Sequence, residues 1–342
     1  MGGSTILLGV CVTVLLVSVD FSASAAITPS LDIPTLTNGA DVIVAGRIVN
    51  RTELGQVIQV APRGGRVRLK RMRAEVSVRR IIKGEQPTPT ITFEFRIPTL
   101  PMGGYRNVAM GQYGMFFLKR SEGGFRVYDW AYPAVIAAPD SPEPTGSHLE
   151  RVASEILFVL LSENNMEQDK RSAMIALTDV DTPGARATYR KLAGSPNIML
   201  RAFAVSSLLS MNDVSILPDA VRLLVSPPST TDKGMLAGIA QVIRYQIKDA
   251  RAIPSLRQLL KAPDVFTREA SVVALGHTGS REAIVPLLEA LEDRDRNVRS
   301  LAMIWLGNLA RQIDGSSECD KFTDEQKLLD CWKEKARPRL GN

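Results

Sequence analysis

The sequence predicts a chain of two domains, a small β domain followed by an α-helical solenoid. Short runs of β-branched and aromatic residues, separated by Gly and Pro, lie between positions 42 and 118. A segment rich in Pro and small polar residues follows at 137–146. The rest of the chain repeats with a period of about 30 residues, which is typical of an array of helical hairpins. Two domains are also the number expected for 342 residues.

The first 25 residues are predicted to be a secretory signal peptide that is cleaved after Ala25. They contain no Lys or Arg, and an apolar stretch precedes the small residues Ala23, Ser24 and Ala25. That stretch, about 15 residues, is short for crossing a bilayer. We therefore expect an exported protein, periplasmic or secreted. An uncleaved signal anchor is the alternative, and only then would the chain be held at a membrane.

Residues 26–138 are predicted to form the β domain. Its recognisable strands are bounded by turn residues such as Gly84 and Pro98, and about five strands in this length indicate a small barrel or sandwich. The runs that carry this prediction are 42–49, 74–78, 90–97 and 113–118.

The order of these runs over residues 40–135 resembles the netrin-like, OB-type barrel of the tissue inhibitors of metalloproteinases. The matching sequence segments are ADVIVAGRIV, AEVSVRRIIKG, TITFEFRIP and GMFFLKR. The resemblance implies an OB-like β-barrel. It does not carry the inhibitors' mechanism, because those proteins chelate the protease zinc through an N-terminal cysteine and residues 26–138 contain no Cys. Protease inhibition is therefore an alternative that depends on the barrel alone.

Positive charge is concentrated in the β domain. Residues 26–139 hold 16 Lys and Arg against 8 Asp and Glu, whereas residues 140–342 hold 26 against 27. Because alternate residues of a strand share a face, Arg66, Arg68 and Lys70 are expected to project together. They would attract an anionic surface or ligand, or form a solvated strand. Export and the lack of interleaved aromatic residues argue against nucleic acid. The basic strip consists of Arg63, Arg66, Arg68, Lys70, Arg71, Arg73, Arg79, Arg80 and Lys83.

Residues 139–147 are predicted to be a linker, and the helical region is predicted to begin directly after it. Ser147 and Glu150 have the spacing of a capping box, in which each side chain accepts from the backbone N–H of the other residue. This places the start of the first helix of the solenoid at residue 148.

The repeat is visible in one register of basic and leucine residues. Lys170, Arg201, Arg268 and Arg299 are each followed seven positions later by Leu. Their spacings are 31, 67 and 31 residues, so one degenerate copy lies within the longest interval. Each unit is predicted to contain two helices, and Gly276 is predicted to end the second helix of its unit.

An Asx residue, an Arg four positions later and then Leu-Gly resemble the HEAT family, in particular the short HEAT-like repeats of phycobilisome lyases. The resemblance covers about residues 148–312 and implies an α-solenoid of about five HEAT-like helical hairpins. Met166 and Lys170 replace the two polar residues in the first copy, and the third copy lacks the Arg. We interpret the repeated residues as structural, with a ligand-binding series as the alternative. This repeat ladder consists of Asn197, Arg201, Asp264, Arg268, Asp295 and Arg299.

Residues 313–342 are predicted to cap the end of the solenoid. Removal of the signal peptide removes Cys11 and leaves Cys319 and Cys331. In an exported chain such a pair predicts one disulfide, with two buried free thiols as the alternative.

The sequence offers little catalytic equipment. His148 and His277 have no Cys, His or paired carboxylate at ligand spacing, so we expect both to be surface groups and expect no metal or cofactor. We therefore predict an exported, non-enzymatic scaffold that binds a protein partner on the concave solenoid face. The alternatives are a lyase-like or maturation factor that acts on another protein, and a protease inhibitor.

Overall fold

The computed structural model describes residues 31–60, 66–85, 88–99, 108–229 and 232–314, together with 319, 327, 330–332 and 334. The predicted signal peptide and Arg63 lie outside these residues. In the described part of the chain, no helix has the length and apolar character needed to cross a membrane.

Five strands form a closed barrel in the order β1-β2-β3-β5-β4, with β4 returning to β1. Neighbouring strands are antiparallel except for β3 and β5, which are parallel. The core of the barrel contains aromatic side chains: the ring of Phe93 lies 5.2 Å from that of Phe116 and 5.9 Å from that of Phe95. The strands are β1 Val42–Val60, β2 Arg66–Lys83, β3 Thr90–Pro98, β4 Tyr113–Ser121 and β5 Gly124–Val127.

Strands β1 and β2 are much longer than the predicted runs 42–49 and 74–78. Their extra length pairs as an antiparallel hairpin, from Asn50 opposite Glu75 to Val60 opposite Arg66. This arm carries charged and polar residues on its solvent side, so it lacks the apolar runs that identify a buried strand. Register shifts in β1 change which residues face inward, which a strict alternation in the sequence does not show.

A short helix that was not predicted, α1 (Ile33–Gly39), precedes the barrel. Asp32 caps it by accepting from the backbone N–H of Thr35. Ile33 and Leu36 are buried in it, and α1 contacts the first helix of the solenoid.

Ten α-helices follow in the described residues, arranged as five hairpins. This confirms the prediction of a repeated helical region. Helix α2 begins with the predicted capping box of Ser147 and Glu150. The helices are α2 His148–Leu161, α3 Glu167–Ala176, α4 Pro183–Leu192, α5 Ile198–Ser210, α6 Leu217–Val225, α7 Lys233–Gln246, α8 Ile253–Leu259, α9 Val265–His277, α10 Ile284–Ala290 and α11 Arg296–Asp314.

The barrel and the solenoid share one hydrophobic core. Barrel residues such as Ile82 and Phe117 belong to the same buried cluster as Val152 and Ile156 of α2. The predicted linker 139–147 lies at this junction, and its Ser141 is 95% buried. The linker is therefore packed between the two regions rather than acting as a free tether.

A buried ion pair crosses the junction between the two regions. Arg80 Nε of β2 lies 2.9 Å from Oε1 of Glu155 on α2, and both side chains are almost completely buried. The Arg80 guanidinium also donates to the backbone carbonyls of Ala138 and Ser141 and to the Ser141 hydroxyl. Burial raises the pKa of the Glu155 carboxyl, while Ser141 and Arg80 oppose that shift. Arg80 is thus wrongly placed in the basic strip, because its strand position turns it toward α2 instead of toward solvent.

Candidate protein-binding surface on the second helices

The second helices of successive hairpins pack side by side. Helix α7 contacts α5 and α9, and α9 contacts α11, so these four helices form one layer of the solenoid. The first helices, such as α6 and α8, form the other layer. Because the hairpin repeats, the second helices together form one continuous surface on their side of the solenoid.

An arginine lies between two aromatic rings on this surface. The guanidinium carbon of Arg244 lies 5.8 Å from the ring centroid of Tyr245 on α7 and 5.8 Å from that of Phe266 on α9. Arg244 also lies 3.5 Å from the Glu269 carboxylate. The two ring distances are those of cation–π contacts, which stabilise the arrangement of Arg244 with Tyr245 and Phe266.

The arrangement continues onto α11 through His277. Burial lowers the pKa of this histidine, the nearby Lys248 lowers it further, and its ring donates to the backbone carbonyl of Arg244. The His277 ring also contacts Trp305 of α11. The two ring centroids lie 4.9 Å apart in an edge-to-face geometry. His277 is therefore half-buried between helices, and its prediction as a surface group is wrong.

Gly276 allows the indole ring to lie flat against α9. A Cβ atom at this position would overlap the ring of Trp305. Because α9 continues to His277, Gly276 does not end the helix as predicted; the residue with positive φ is Gly279, at +60°. The missing side chain thus serves packing between hairpins rather than helix termination.

Two large apolar side chains remain exposed on the same layer. Tyr245 is 54% exposed and Ile304, next to Trp305, is 56% exposed. We define the aromatic patch as Arg244, Tyr245, Phe266, His277, Ile304 and Trp305. The sequence does not reveal this patch, because its members are single residues scattered over about 60 positions and no motif connects them.

Most of the basic strip is engaged in internal contacts. The Lys70 ammonium lies 2.8 Å from the carboxylate of Glu53 on the neighbouring strand. Glu94 of β3 accepts from both Arg71 and Arg73, at 3.0 and 3.1 Å, and the Arg71 and Arg73 guanidinium groups hold its pKa below the usual value. These cations lie on the surface, but each already has a carboxylate partner.

The remaining strip is small. Lys83 donates to the backbone carbonyls of Thr37 and Asn38 at the end of α1. Arg66 and Arg68 are exposed, as is Arg79. Of the strip residues that the structure describes, these three arginines and Lys83 have no ion pair, and Lys83 is engaged with the two carbonyls instead.

The repeat ladder divides into two kinds of position. Asn197 and Asp264 occupy N-cap positions, and Asp295 accepts from the Asn297 backbone N–H. Arg268 makes two hydrogen bonds to Asp293 of the next hairpin, at 2.7 and 3.0 Å.

The ladder arginines differ in their partners. Arg268 also donates to the backbone carbonyls of Ala262 and Pro263, and Arg299 donates to those of Asp293 and Arg294. Arg201 makes no such contact within the described residues, and its Nε is buried without a partner. The three arginines therefore share a register in the repeat but differ in the contacts that they make.

The two C-terminal cysteines lie together. The Cα atoms of Cys319 and Cys331 are 5.7 Å apart, and Cys319 is fully buried. Among the residues that the structure describes, no group of His, Cys, Asp and Glu side chains has the arrangement of a metal site.

Comparison with known proteins identifies the helical repeat. A protein-family model for HEAT repeats matches residues 223–307. No curated protein matches the sequence. Neither result supports the netrin-like resemblance of residues 40–135, which stays a prediction.

Solved structures similar to the chain include two designed or engineered proteins and one protein of Escherichia coli. A designed armadillo repeat protein in complex with the peptide (KR)4 is 16% identical over 52% of this chain and 97% of its own, with a TM-score of 0.33. An engineered protein is 19% identical over 56% and 93%, with a TM-score of 0.30. YibA of Escherichia coli is 16% identical over 57% and 99%, with a TM-score of 0.22. The match to the family model alone assigns HEAT repeats to residues 223–307, and the whole aromatic patch lies within this range.

Proposed function

We propose that this chain is an exported, non-enzymatic scaffold that binds a protein partner through the aromatic patch. The observation that carries the proposal is the exposure of two large apolar side chains on a HEAT-repeat surface, Tyr245 beside Arg244 and Ile304 beside Trp305. HEAT repeats commonly mediate protein–protein contacts, because successive units provide an extended surface.

The composition of the patch suits a binding hot spot. Tyr, Trp and Arg are the residues most enriched among those that dominate binding energy. Here Arg244 and Phe266 are held by mutual contacts and Trp305 is held against His277. Side chains that are already ordered lose little conformational entropy when a partner binds, so more of the contact energy appears as affinity.

The other candidate functions receive less support. No observation in the described residues favours protease inhibition, and the barrel alone carries that alternative. A lyase-like or maturation factor would also bind a protein, so the same surface would serve it. We treat partner binding as the shared first step and the scaffold as the function.

The exposed part of the basic strip fits the proposal as a secondary element. Arg66 and Arg68 carry positive charge on the β1–β2 arm without an ion pair in the described residues. Exposed charges of this kind raise association rates with acidic partners more than they raise affinity. They would therefore steer the partner, with the aromatic patch providing the retained contact.

Export and a disulfide between Cys319 and Cys331 belong to the same proposal. We expect peptide mapping of the mature protein under non-reducing conditions to recover one linked pair and an N-terminus at Ala26. Two alkylatable thiols on protein recovered from the exported fraction would contradict the disulfide. An N-terminus upstream of Ala25 on membrane-bound protein would instead support the uncleaved anchor.

The binding surface can be tested with matched alanine variants. The partner is captured from the exported fraction and identified by mass spectrometry, and its affinity is then measured by calorimetry. Tyr245→Ala and Ile304→Ala are each expected to weaken binding by about 2 kcal/mol, which is roughly 30-fold. Ile175 of α3 is 55% exposed, and Ile175→Ala provides a control of equal exposure outside the patch. Equal affinities for all three variants and the wild type would exclude the patch as the binding surface.

A further inference from the structure

One position in the repeat has an arginine without the carboxylate partner that Arg268 has. Arg201 and Arg268 lie 67 residues apart and occupy the same place in helices α5 and α9. Arg268 is satisfied by Asp293, which follows the first helix of the next hairpin. The residue equivalent to Asp293, also 67 positions earlier, is Ser226. The internal carboxylate is therefore missing beside Arg201.

No other described residue takes its place. Arg201 does not donate to the carbonyls of Ser195 or Pro196, which are the equivalents of the two that Arg268 uses. Its Nε is buried and has no hydrogen-bond partner. A buried donor that is left unpaired lowers stability, so an acceptor supplied to Arg201 from outside the chain would be stabilising.

The Arg201 side chain lines a pocket of about 370 Å³ between hairpins. Two charged residues of α6 share the pocket, Arg222 and Asp219, and these two form an ion pair with each other. The net charge of the pocket is therefore positive. Its other lining residues are small or apolar, including Gly194, Ser226 and Pro228.

We propose that this pocket binds a carboxylate of the protein partner, in the position that Asp293 occupies beside Arg268. The inference rests on the proposed function, since it names the chemistry of the same partner, but it uses a different part of the solenoid. An aspartate or glutamate side chain, or a chain terminus, would accept two hydrogen bonds from the guanidinium. Planar, bidentate pairing of this kind is one of the strong, charge-assisted contacts that an arginine makes.

The site can be examined directly with sodium acetate as the probe. In the full chain labelled with ¹⁵N at arginine Nε, the Arg201 resonance is expected to shift saturably as acetate replaces chloride at constant ionic strength. The Arg268 resonance is the internal control and should stay in place, because Asp293 already occupies its guanidinium. Inorganic phosphate is titrated in parallel. A response to phosphate and not to acetate would overturn the carboxylate assignment, and a shift no larger than that of exposed arginines would remove the site.

A single substitution supplies the missing group from within. Ser226→Asp is expected to pair with Arg201 as Asp293 pairs with Arg268, to raise the melting temperature by a few degrees and to abolish the acetate response. Ser226→Asn is the control, because asparagine has the shape of aspartate without its charge. It should leave the acetate response of Arg201 unchanged. A Ser226→Asp variant that is folded, no more stable than Ser226→Asn and still responsive to acetate would contradict the proposal.

These results are separable from the test of the aromatic patch. Tyr245→Ala should leave the acetate response of Arg201 unchanged. Ser226→Asp should lower the affinity for the captured partner about tenfold or more. If the patch variants bind the partner normally but Ser226→Asp does not, the results support the pocket as a binding site and refute the aromatic patch as one. If Ser226→Asp binds the partner normally, the pocket has no role in binding it.

Discussion

Replacement of Arg80 by glutamine is expected to lower the free energy of unfolding by about 3 to 5 kcal/mol, because it leaves the Glu155 carboxylate buried without a counter-charge. The Glu155 side chain is fully buried, so water cannot replace the lost partner. The variant also removes donors from the carbonyls of Ala138 and Ser141. Urea denaturation measures the loss. Arg79→Gln is the matched control, since Arg79 is the exposed neighbour on the same strand, and it should change stability by about 0.5 kcal/mol or less.

The loss should depend on pH with a defined sign. Burial raises the pKa of Glu155, and removal of Arg80 takes away one of the groups that oppose the rise. A carboxyl with a raised pKa in the folded state binds its proton more tightly when folded, so stability falls as pH rises above about 4.3, the unfolded value. The deficit of Arg80→Gln should therefore be larger at pH 7.5 than at pH 4. A deficit equal to that of Arg79→Gln at both pH values would show that the ion pair does not join the two regions.

Replacement of Arg268 by alanine should be the most damaging change within the repeats, at about 3 to 5 kcal/mol. The substitution leaves Asp293, whose side chain is 91% buried, without its ion-pair partner. It also leaves two backbone carbonyls without a donor. Arg201→Ala removes the same side chain from the equivalent position but strands no internal carboxylate. Its expected cost is about 1 kcal/mol or less.

Acid sensitivity provides a second measure of the Arg268 contact. Burial raises the pKa of Asp293, but the hydrogen bonds from Arg268 and from the Asp295 backbone N–H, together with the positive charges of Arg268 and Arg294, outweigh burial and hold the pKa below its usual value. The stabilisation is therefore complete above the unfolded-state pKa of about 3.9 and is lost as pH falls through the lower folded-state value. Arg268→Ala should abolish this component of acid unfolding. Equal losses for Arg268→Ala and Arg201→Ala would mean that the two positions are equivalent after all.

Features that depend on local sequence could be predicted. The capping box at Ser147 and Glu150 and the N-caps at Asn197 and Asp264 each involve residues within three or four positions. The helical hairpins could be predicted from the spacing of apolar residues and from the repeat period, because both patterns are visible in the sequence itself. The strands of the barrel were visible where apolar residues lie in runs, and were missed where the β1–β2 arm carries charges.

Features that depend on contacts between distant residues could not be predicted. Arg80 and Glu155 lie 75 positions apart, and only the packing of α2 on the barrel brings them together. The pairing of Arg71 and Arg73 with Glu94 depends on strand register, so a count of basic residues overstated the exposed charge. The aromatic patch arises because three second helices pack side by side, and no single helix contains its pattern.

Site-specific photo-cross-linking tests the central claim most directly. A benzoylphenylalanine is placed at Tyr245 or Ile304 on the second-helix layer, or at Gln258, an exposed residue of the first helix α8. Each full-length variant is irradiated with the captured partner, and the yield of covalent complex is quantified on gels. Partner binding through the aromatic patch predicts strong cross-links from 245 and 304 and little or none from 258. A cross-link from position 258 as strong as those from 245 and 304, or cross-linking at 258 alone, would contradict the account.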